Sequence, residues 1–506
     1  MEKTKKTPVK TTKTTAKKTT TKTIKTKPIP SIKVLTKKKI VFFASECAPF
    51  IATGGLADVV GSLPKALAEN KYNDVSVIIP LYSNIKEEFR SKFNFVTSFN
   101  VSVGWRWQYA GVFFYEYQGV KYYFIDNEYY FKRDGNIYGF YDDGERFAFF
   151  SRAALDTLAH LNIYPDVLHL NDWQTAASVI YLKGMYYADK NYNKIKTVFT
   201  IHNIEYQGVY SMDTFTELFG FSENNRNFVE FNGALNLMKG AIEMTDVLST
   251  VSPSYANEIK HPFFAHGLEN IIIKNEQKLC GILNGIDIDY YNPETDPYVF
   301  KNYSVSDMSG KAVCKEELQK MLSLPVNPNI PIVAIISRLV SHKGLDLVKA
   351  VIESLLSKDV QVVILGKGET GYENFFKTIS ENYKGKCATV IAFNQDLSRK
   401  IYSGADIFLM PSKMEPCGLS QMIASRYGTV AVVRETGGLN DSIKAYDGVN
   451  GNGFTFHDYN AHDMLYVLNM AIDTFSDKKA WEDVRKRAML TDFSWKNQAK
   501  KYEEIY

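Results

Sequence analysis

Short apolar runs alternate with amphipathic segments along most of the chain from residue 39 onward. In the first half, the runs rich in β-branched and aromatic residues are 39–45, 75–81, 167–170, 197–201 and 247–251. Segments between them, such as 146–160 and 175–187, carry apolar residues at helical spacing. Because the short runs are apolar over their whole length, both of their faces should be covered, which predicts a parallel sheet between layers of helices.

A second series of the same kind follows a loop-rich stretch. Its apolar runs are 331–336, 360–365, 389–393, 407–410 and 429–433. The pattern predicts an α/β protein with two Rossmann-like doubly wound domains facing across a cleft, at 39–283 and 330–492, joined by a linker at 284–329. Ligands of such sheets bind outside the carboxyl ends of the strands, so the loops that follow the strands are candidates for function.

Composition and charge narrow the class of protein. At 506 residues the chain is too long for one core. Its first 39 residues carry fourteen lysines and one glutamate, so the formal charge of +4 for the whole chain leaves −9 for the remainder. An acidic body gives no reason to expect a nucleic-acid partner. The Lys- and Thr-rich residues 1–38 are predicted to form a disordered, solubilising arm, with contact to an anionic surface as the alternative.

The sequence gives little support for a membrane-spanning segment, a disulfide framework or a metal site. No stretch approaches the ~20 uncharged apolar residues that span a bilayer, and the N-terminus lacks the apolar core of a secretory signal. The five cysteines, at positions 47, 280, 314, 387 and 417, show neither a CxxC nor a regular spacing. This scatter fits a reducing, cytoplasmic setting better than a disulfide framework or a zinc site.

The most informative motif is a glycine turn between a predicted strand and a predicted helix. Thr53, Gly54 and Gly55 follow the run 40–45 and precede the helical stretch 63–67. Such a turn points backbone N–H groups and the positive end of a helix dipole at an anion, and adjacent glycines let the main chain approach it closely. It predicts a phosphate-bearing ligand near residue 54.

Two polar residues stand at the ends of later strands in the first domain. Asp172 follows the run 167–170, where it either caps the next helix or presents a carboxylate to a hydroxyl in the cleft. His202 follows the run 197–201 and precedes a polar loop closed by a glycine, which favours a role in ligand binding over a structural one.

The second domain places cations at the corresponding position. Arg338 and Lys343 lie five residues apart after the run 331–336 and could hold a diphosphate, with a solvated basic loop as the alternative. The tetrapeptide Gly-Lys-Gly-Glu at 366–369 follows the next strand and is expected to add flexible backbone at the same edge.

A tight turn at 411–419 is the second strong signal. Proline before Cys417 and Gly418 after it shape a turn that opens a helix. The free N–H groups of Gly418 and Leu419 are then predicted to meet phosphate, which leaves Glu415 to bind sugar hydroxyls.

Two further candidates lie nearby. Thr436 and Gly437 repeat the strand–turn–helix arrangement after the run 429–433. Phe393, at the end of the predicted strand 389–393, either offers its ring to a base or packs in the core.

These motifs closely resemble those of the bacterial and plant-type glycogen and starch synthases, which are retaining glycosyltransferases with two Rossmann domains (the GT-B fold). The resemblance covers residues 39–506, and its motifs stand in family order: TGGLADVVGSLP, LHLNDWQTA, TIHNIEYQG, LNGID, SRLVSHKG, PSKMEPCGL, RETGGL and a final FSW. It also implies that the last helix, at 493–506, crosses back to the first domain.

The resemblance implies transfer of glucose from ADP-glucose to the non-reducing end of an α-1,4-glucan such as glycogen, with retention of configuration and without a cofactor or metal. The catalytic positions would be Asp172, His202, Arg338, Lys343 and Glu415. The substrate-binding positions would be Thr53, Gly54, Gly55, Asp58, Asn284, Phe393 (against adenine), Cys417, Gly418, Leu419, Thr436 and Gly437. In the family pattern Arg338 and Lys343 bind the diphosphate, Glu415 binds sugar hydroxyls, His202 sits beside the glucose and Asp172 lies on the acceptor side.

One position departs from the family pattern. Many members carry Lys immediately before TGGL, where it reaches the donor phosphates, whereas this chain has Ala52. Losing that cation should weaken donor binding unless another lysine, such as Lys367, replaces it. Three other functions stay open: a GT-B enzyme that uses UDP-glucose or another acceptor, a pyridoxal-phosphate-dependent glucan phosphorylase, and a non-catalytic glucan-binding protein.

Overall fold

The structure is a computed structural model that describes residues 2–13, 15 and 37–506. Residues 2–13 and 15 are exposed and carry no regular secondary structure. Most of the remaining arm predicted at 1–38 lies outside the described residues, so its disorder stays a prediction. Lys38, which was assigned to that arm, opens the first strand.

The first half of the chain forms a large mixed sheet and a small one. Its strands are β1 (Lys38–Phe43), β2 (Asn73–Pro80), β3 (Asn94–Val103), β4 (Arg106–Tyr117), β5 (Val120–Asp126), β6 (Val167–Asn171), β7 (Lys196–Ile201), β8 (Val209–Ser211), β9 (Glu230–Phe231), β10 (Ala234–Asn236), β11 (Val247–Thr250) and β12 (Leu279–Gly281). The large sheet has the order β12-β11-β7-β6-β1-β2-β5-β4-β3, and β8-β10-β9 form the small one. In the large sheet β4 pairs antiparallel with β3 and β5, and the other described strand pairs are parallel.

Helices cover the large sheet. They are α1 (Gly55–Ala68), α2 (Glu87–Arg90), α3 (Glu128–Phe131), α4 (Asp143–His160), α5 (Trp173–Gly184), α6 (Thr214–Glu217), α7 (Arg226–Val229), α8 (Leu237–Met244), α9 (Pro253–Glu258), α10 (Pro262–Ala265) and α11 (Glu269–Lys274). The strands predicted from apolar runs are all present. The antiparallel hairpin β3–β4 was not predicted: β3 mixes polar and apolar residues, whereas β4 carries an apolar run at 109–115 that the sequence analysis did not assign to a strand.

The second half repeats the α/β plan with a parallel sheet. Its elements are α12 (Ser309–Met321), β13 (Ile332–Ile336), α13 (Leu345–Leu356), β14 (Gln361–Gly366), α14 (Thr370–Asn382), β15 (Cys387–Ile391), α15 (Gln395–Gly404), β16 (Ile407–Met410), α16 (Ser420–Arg426), β17 (Val430–Arg434), α17 (Gly437–Ser442), β18 (Gly453–Phe456), α18 (Ala461–Ser476), α19 (Lys478–Leu490) and α20 (Trp495–Ile505). The order is β15-β14-β13-β16-β17-β18. The strand predicted at 389–393 begins and ends two residues earlier.

Each sheet has a point at which the chain reverses its direction of travel across the strands. In the first sheet β1 lies between β2 and β6. In the second, β13 lies between β14 and β16. Loops diverge there in opposite directions and leave a crevice at the carboxyl edge, which is where α/β sheets bind ligands. The loops after β1, β6, β13 and β16 hold most of the candidates from the sequence.

Two crossings of the chain between the sheets lie side by side. The N–H of Ile286 donates to the carbonyl of Phe493 at 2.8 Å, and Ile286 also forms an isolated parallel bridge with Ser494. Beyond this point α20 packs against α1. The hydroxyl of Tyr506 lies 2.6 Å from Nδ1 of the buried His169 on β6, so the last helix completes the core of the first half. The domain limits inferred from the sequence remain predictions.

Candidate active site

The glycine turn after β1 is pinned by a buried carboxylate. Oε2 of Glu46 accepts the backbone N–H of Thr53 at 2.5 Å and its hydroxyl at 2.8 Å. Gly54 precedes α1 and Gly55 is its first residue. Among the described atoms, nothing lies within 4 Å of a Cβ built on either glycine. The protein itself therefore has room for side chains here, and their absence keeps space open above the first turn of α1.

Burial changes the acidity of the carboxyl groups around this turn. Desolvation raises the pKa of Glu46 to about 7, with the nearby Asp58 adding to the shift. The same cause raises the pKa of Asp58, in the first turn of α1, to about 6. Burial also raises the pKa of Asp172 to about 7, against the opposing effect of its hydrogen bonds. The first domain thus places around this edge of the site three carboxyl groups whose pKa values are raised to between about 6 and about 7.

Asp172 and His202 meet at the ends of β6 and β7. Asp172 precedes α5, but its side chain makes no capping hydrogen bond within the described residues. Its Oδ1 instead accepts the backbone N–H of His202 at 2.7 Å. Asp172 thus occupies the N-cap position of α5, as the first alternative predicted, but its carboxylate does not cap the helix: it links two neighbouring strand ends.

The protonation of His202 follows from its neighbours. Its Nε2 lies 2.9 Å from Oδ1 of Asn171, whose Nδ2 donates to the carbonyl of Phe43 at 3.0 Å. Because this second bond orients the amide with its oxygen toward the ring, Nε2 carries the hydrogen and Nδ1 keeps a lone pair. Burial lowers the pKa of His202 to about 3, so the ring is neutral and can accept a hydrogen bond at neutral pH.

On the second-domain side of the cleft, Lys343, which was predicted to bind the diphosphate, is hydrogen-bonded to Glu415, which was predicted to bind sugar hydroxyls. Nζ of Lys343, after β13, lies 2.6 Å from Oε2 of Glu415, after β16, and both side chains are largely buried. Oγ of Ser412 donates to the same carboxylate oxygen at 3.0 Å. An ammonium group has three donors, so Lys343 can hold Glu415 and still donate to a second anion.

Arg338 contrasts with Lys343. Its side chain is exposed, and no carboxylate of the described chain forms a salt bridge with it. The loop that carries it contacts the next one, because Leu339 and Gly368 form an isolated parallel bridge. A Cβ on Gly366 would lie 2.1 Å from the carbonyl of Ser337, and one on Gly368 2.3 Å from that of Leu339. These glycines permit close packing of the two loops, and the flexible backbone expected at 366–369 stays a prediction.

The turn at 411–419 reaches toward the crossing at residue 284. Burial raises the pKa of the Cys417 thiol, which lies near Asn284, to about 12, so the thiol is not ionised at neutral pH. Asn284 is itself buried, and within the described structure its Oδ1 has no hydrogen-bond partner. Gly418 adopts a left-handed backbone, and Leu419 precedes α16.

Thr436 and Gly437 are hydrogen-bonded to a glutamate of the first domain. Oε1 of Glu258, at the end of α9, accepts the Thr436 hydroxyl at 2.9 Å and the Gly437 N–H at 2.8 Å. Beside it, Ser254 donates twice to Asp441, each time at 2.8 Å. The two candidates thus lie in a polar contact between the domains, and their role in substrate binding stays a prediction.

Phe393 lies beyond the end of β15 and is 85% exposed. The alternative that it packs in the core is therefore wrong. An exposed ring at the carboxyl edge of the second sheet is available for stacking.

Several residues of the site were missed by sequence reasoning. Glu46, Asn171 and Glu258 each bond to a predicted residue through a contact that depends on the tertiary fold. Glu46 carried one usable signal, since it is the only carboxylate among residues 40–57 and directly follows a buried strand. Asn171 and Glu258 had none, because strand-end amides and helix-end glutamates are common.

Comparison with known proteins agrees with this geometry. A family model described as "Starch synthase catalytic domain" matches residues 39–274, and one described as "Glycosyl transferases group 1" matches residues 317–486. The catalytic domain of starch synthase IV from Arabidopsis thaliana, bound to ADP and acarbose, superposes with a TM-score of 0.86 at 33% identity, covering 93% of this chain and 99% of that one. Sucrose-phosphate synthase from Thermosynechococcus elongatus shares the fold alone, with a TM-score of 0.59 at 14% identity over 93% of this chain and 98% of that one.

The fold and site define a glycosyltransferase of the GT-B class. The glycogen synthase of Clostridium acetobutylicum is 49% identical over 92% of this chain and 99% of its own length, and that of Anoxybacillus flavithermus is 45% identical over 92% and 97%. The chain therefore belongs to the glycogen and starch synthase family. The predictions of the fold, the family and a glycogen synthase activity are confirmed.

The described residues contain no group of three or more His, Cys, Asp and Glu side chains arranged to hold a metal ion. No helix within them is long and apolar enough to cross a membrane.

Proposed function

We propose that this chain elongates an α-1,4-glucan such as glycogen by transferring glucose from ADP-glucose to a non-reducing end with retention of configuration. The proposal rests on the groups at the two switch points. The switch point of the second sheet carries the Lys343–Glu415 pair and the exposed Arg338, and that of the first sheet carries the open glycine turn. The family relationship supports it, and the ADP bound in the similar structure of starch synthase IV supports the choice of nucleotide.

On the donor side, Arg338 and Lys343 would hold the diphosphate. The guanidinium group can bond two oxygens at once, and the ammonium group adds a point charge. The backbone N–H groups at Gly54 and Gly55 would approach the phosphates from the first domain, where no side chain of the described protein obstructs them. The ring of Phe393 would cover the adenine.

On the sugar side, Glu415 and His202 would contact hydroxyl groups. Glu415 is held by Lys343 and Ser412, so its second oxygen is oriented before substrate arrives. Nδ1 of His202 would accept a hydroxyl hydrogen from the transferred glucose. Asp172, which positions His202 through the backbone, would lie toward the acceptor.

In the reaction, the bond between glucose C1 and the diphosphate oxygen breaks, and a bond from C1 to the acceptor O4 forms on the same face. The acceptor proton passes to the departing diphosphate oxygen, so ADP and an elongated chain result. The two cations stabilise the negative charge that develops on the leaving group, which is where fixed charges contribute most to rate. C1 carries oxocarbenium character meanwhile.

We also propose a reducing, cytoplasmic setting. All five cysteines lie in the described part of the chain, and none of them forms a disulfide there. This arrangement is typical of proteins kept in a reducing compartment.

The test uses purified full-length protein with glycogen as primer. ADP release from ADP-glucose is measured beside UDP release from UDP-glucose, and proton NMR of the product identifies the new anomeric linkage. We expect release of ADP, preference for ADP-glucose and α-linked product. A preference for UDP-glucose would indicate a GT-B enzyme that uses a different donor. Formation of glucose-1-phosphate from glycogen and phosphate would indicate a phosphorylase. Glycogen binding without nucleotide release would leave a non-catalytic binding protein.

A further inference from the structure

The pattern Thr-Gly-Gly-Leu-x-Asp occurs in both domains, at 53–58 and at 436–441. Each copy stands at the start of a helix, α1 in the first domain and α17 in the second. In each copy a single glutamate oxygen accepts the threonine hydroxyl and one backbone N–H. We call residues 436–438 the second glycine turn, and it can be compared directly with the glycine turn at 53–55.

The two glutamates that hold these turns come from different parts of the fold. Glu46, which holds Thr53, belongs to the same domain and lies seven residues before it. Glu258, which holds Thr436 and Gly437, belongs to α9 of the other domain. The second glycine turn therefore has this acceptor only while the two domains are in contact, whereas the first turn does not depend on that contact.

The space in front of the two turns also differs. A Cβ built on either glycine of the first turn has no neighbour among the described atoms within 4 Å. In the second turn, a Cβ on Gly437 would lie 2.0 Å from the carbonyl oxygen of Glu415, and one on Gly438 2.2 Å from that of Cys417. The first turn thus faces open space, whereas the second is packed against the backbone of residues 415–417.

Hydrogen bonds join the second glycine turn and α9 to that backbone. The N–H of Gly438 lies 3.2 Å from the carbonyl oxygen of Glu415 and 3.1 Å from that of Pro416, and donates to both. Ser252, the N-cap residue of α9, donates its hydroxyl to the carbonyl of Pro416 at 2.8 Å. One end of α9 therefore contacts the Glu415 backbone segment directly, and the other end contacts it through the second glycine turn.

Glu415 is consequently held from two sides. Its side chain is bonded by Lys343 at 2.6 Å and by Ser412 at 3.0 Å, both in its own domain. Its backbone packs on the second glycine turn, which is bonded to Glu258 of the first domain. A carboxylate that meets a substrate productively has to be placed to within about 0.5 Å, so both supports matter for its position.

The surroundings of Glu258 favour a role that is confined to this turn. Among the described residues, its carboxyl group is hydrogen-bonded to Thr436 and Gly437 through Oε1, while Oε2 is buried and has no partner. A buried carboxyl group destabilises a fold unless it is hydrogen-bonded. The bonds to the second glycine turn are therefore what offsets the burial of Glu258.

We propose that Glu258 is a positioning residue that couples contact between the domains to the placement of Glu415. When the domains meet, Glu258 completes the second glycine turn, and this turn fixes the backbone that carries Glu415. When the domains part, the backbone loses this support and the sugar hydroxyls lose an oriented acceptor. The inference rests on the proposed function for the role of Glu415.

The first experiment separates turnover from nucleotide binding. Initial rates with ADP-glucose and glycogen, and the affinity for ADP by calorimetry, are measured for wild type, Glu258→Ala and Glu258→Gln. We expect Glu258→Ala to lower kcat by about a hundredfold, as a misplacement of about 1 Å does, and to leave the affinity for ADP unchanged, because ADP lacks the sugar. Glu258→Gln keeps an oxygen acceptor and should retain most of kcat. Equal losses in both variants, or a parallel loss of ADP affinity, would overturn the inference.

Ser254→Ala is the matched control. Ser254 lies on the same helix, and its hydroxyl donates to Asp441 at 2.8 Å across the same contact between the domains. In the described structure neither residue is hydrogen-bonded to residues 415–417, so this variant should leave kcat unchanged. A loss as large as that of Glu258→Ala would show that the contact matters only as a whole.

A double-mutant cycle tests whether Glu258 acts through Glu415. When Glu415→Ala is already present, Glu258→Ala should lower kcat little further, because the carboxylate that it positions is gone. Losses that multiply fully in the double variant would show that Glu258 acts independently of Glu415, which would contradict the inference.

Hydrogen exchange gives a readout that does not require activity. Peptides covering 411–419 should exchange faster in Glu258→Ala than in wild type, and at the wild-type rate in Ser254→Ala. Glu258→Asp keeps the charge on a shorter side chain and should show the same increase, so it replaces the alanine variant if that chain does not fold. Unchanged exchange in the Glu258 variants would overturn the inference. If the wild type releases no ADP while exchange rises in Glu258→Ala, the proposed function fails and the coupling stands.

Discussion

Lys343 and Glu415, 72 residues apart in the chain, are joined by a hydrogen bond of 2.6 Å between largely buried side chains. They come from the loops after β13 and β16, the two strands that flank the switch point of the second sheet. The carboxylate is thereby held in place before any sugar binds, and the lysine keeps donors for a phosphate. Electrostatic stabilisation of this kind depends on such prior orientation.

Removing one partner of this pair should affect both stability and turnover. Lys343→Ala leaves a buried carboxylate without its cation, and we expect the free energy of unfolding to fall by about 3 kcal/mol. The double variant Lys343→Met/Glu415→Gln removes both charges and should recover most of that loss in a urea titration. Both variants should lose at least about a hundredfold in kcat. Recovery of activity along with stability would show that the pair is structural only.

Arg338 should behave differently, because it is exposed and the described chain gives it no ion-pair partner. Arg338→Ala is expected to leave the free energy of unfolding within about 0.5 kcal/mol of wild type, yet lower kcat/KM for ADP-glucose by about a hundredfold. Arg338→Lys keeps the positive charge but cannot bond two phosphate oxygens at once as a guanidinium group does. It should therefore retain only part of the activity. The exposed Lys377→Ala is the control and should change neither quantity. An unaffected kcat/KM in Arg338→Ala would contradict the assignment.

The two glycine turns give opposite predictions for alanine. Gly55→Ala meets no described protein atom within 4 Å, so its stability should be equal to or slightly above wild type. Its KM for ADP-glucose should nonetheless rise several-fold, because the new methyl group enters the donor space. Gly437→Ala would place its Cβ 2.0 Å from the carbonyl of Glu415 at a backbone φ of +44°, and should lower the melting temperature. Unchanged donor affinity in Gly55→Ala would remove the glycine turn from the donor site.

Ala52 offers a gain-of-function test. It is exposed beside the glycine turn, so a longer side chain can be accommodated. Ala52→Lys adds a cation next to the proposed diphosphate site and should lower the KM for ADP-glucose severalfold at low ionic strength. The effect should weaken as salt is added, because added ions screen the charge. Ala52→Gln, of similar length without charge, serves as the control. If both variants behave alike, position 52 does not reach the donor.

Glu46 should make stability depend on pH in a defined direction. Its pKa is raised from 4.5 to about 7 in the folded state, so between these values the folded protein holds a proton that the unfolded chain has lost. Stability from this group therefore falls as pH rises through that window. Glu46→Gln keeps an acceptor for Thr53 and removes the titration, so its free energy of unfolding relative to wild type should increase by about 3 kcal/mol from pH 4 to pH 8. A difference that does not vary with pH would contradict the raised pKa.

Much of the fold could be predicted because its central strands are apolar on both faces. β1, β7 and β14 are examples in which nearly every side chain is buried, so each strand is visible as a continuous run. Strand β3 could not be recognised in the same way, because one face of the β3–β4 hairpin packs on α4 while the other is open, so apolar and polar residues mix along it. In β4 only the run 109–115 was open to recognition from the sequence.

For the candidate site, the residue types and their order along the chain were already informative in the sequence. Glycines before a helix, cations after a strand and a carboxylate in a tight turn point to phosphate and sugar chemistry wherever they fold, since backbone conformation and charge are local properties. The tertiary structure decided which of these groups touch. The pairing of Lys343 with Glu415, the anchoring of Thr53 by Glu46 and the engagement of Gly437 by Glu258 depend on strand order and domain contact. These are properties of distance in space, which residues far apart in sequence acquire only when the sheets assemble.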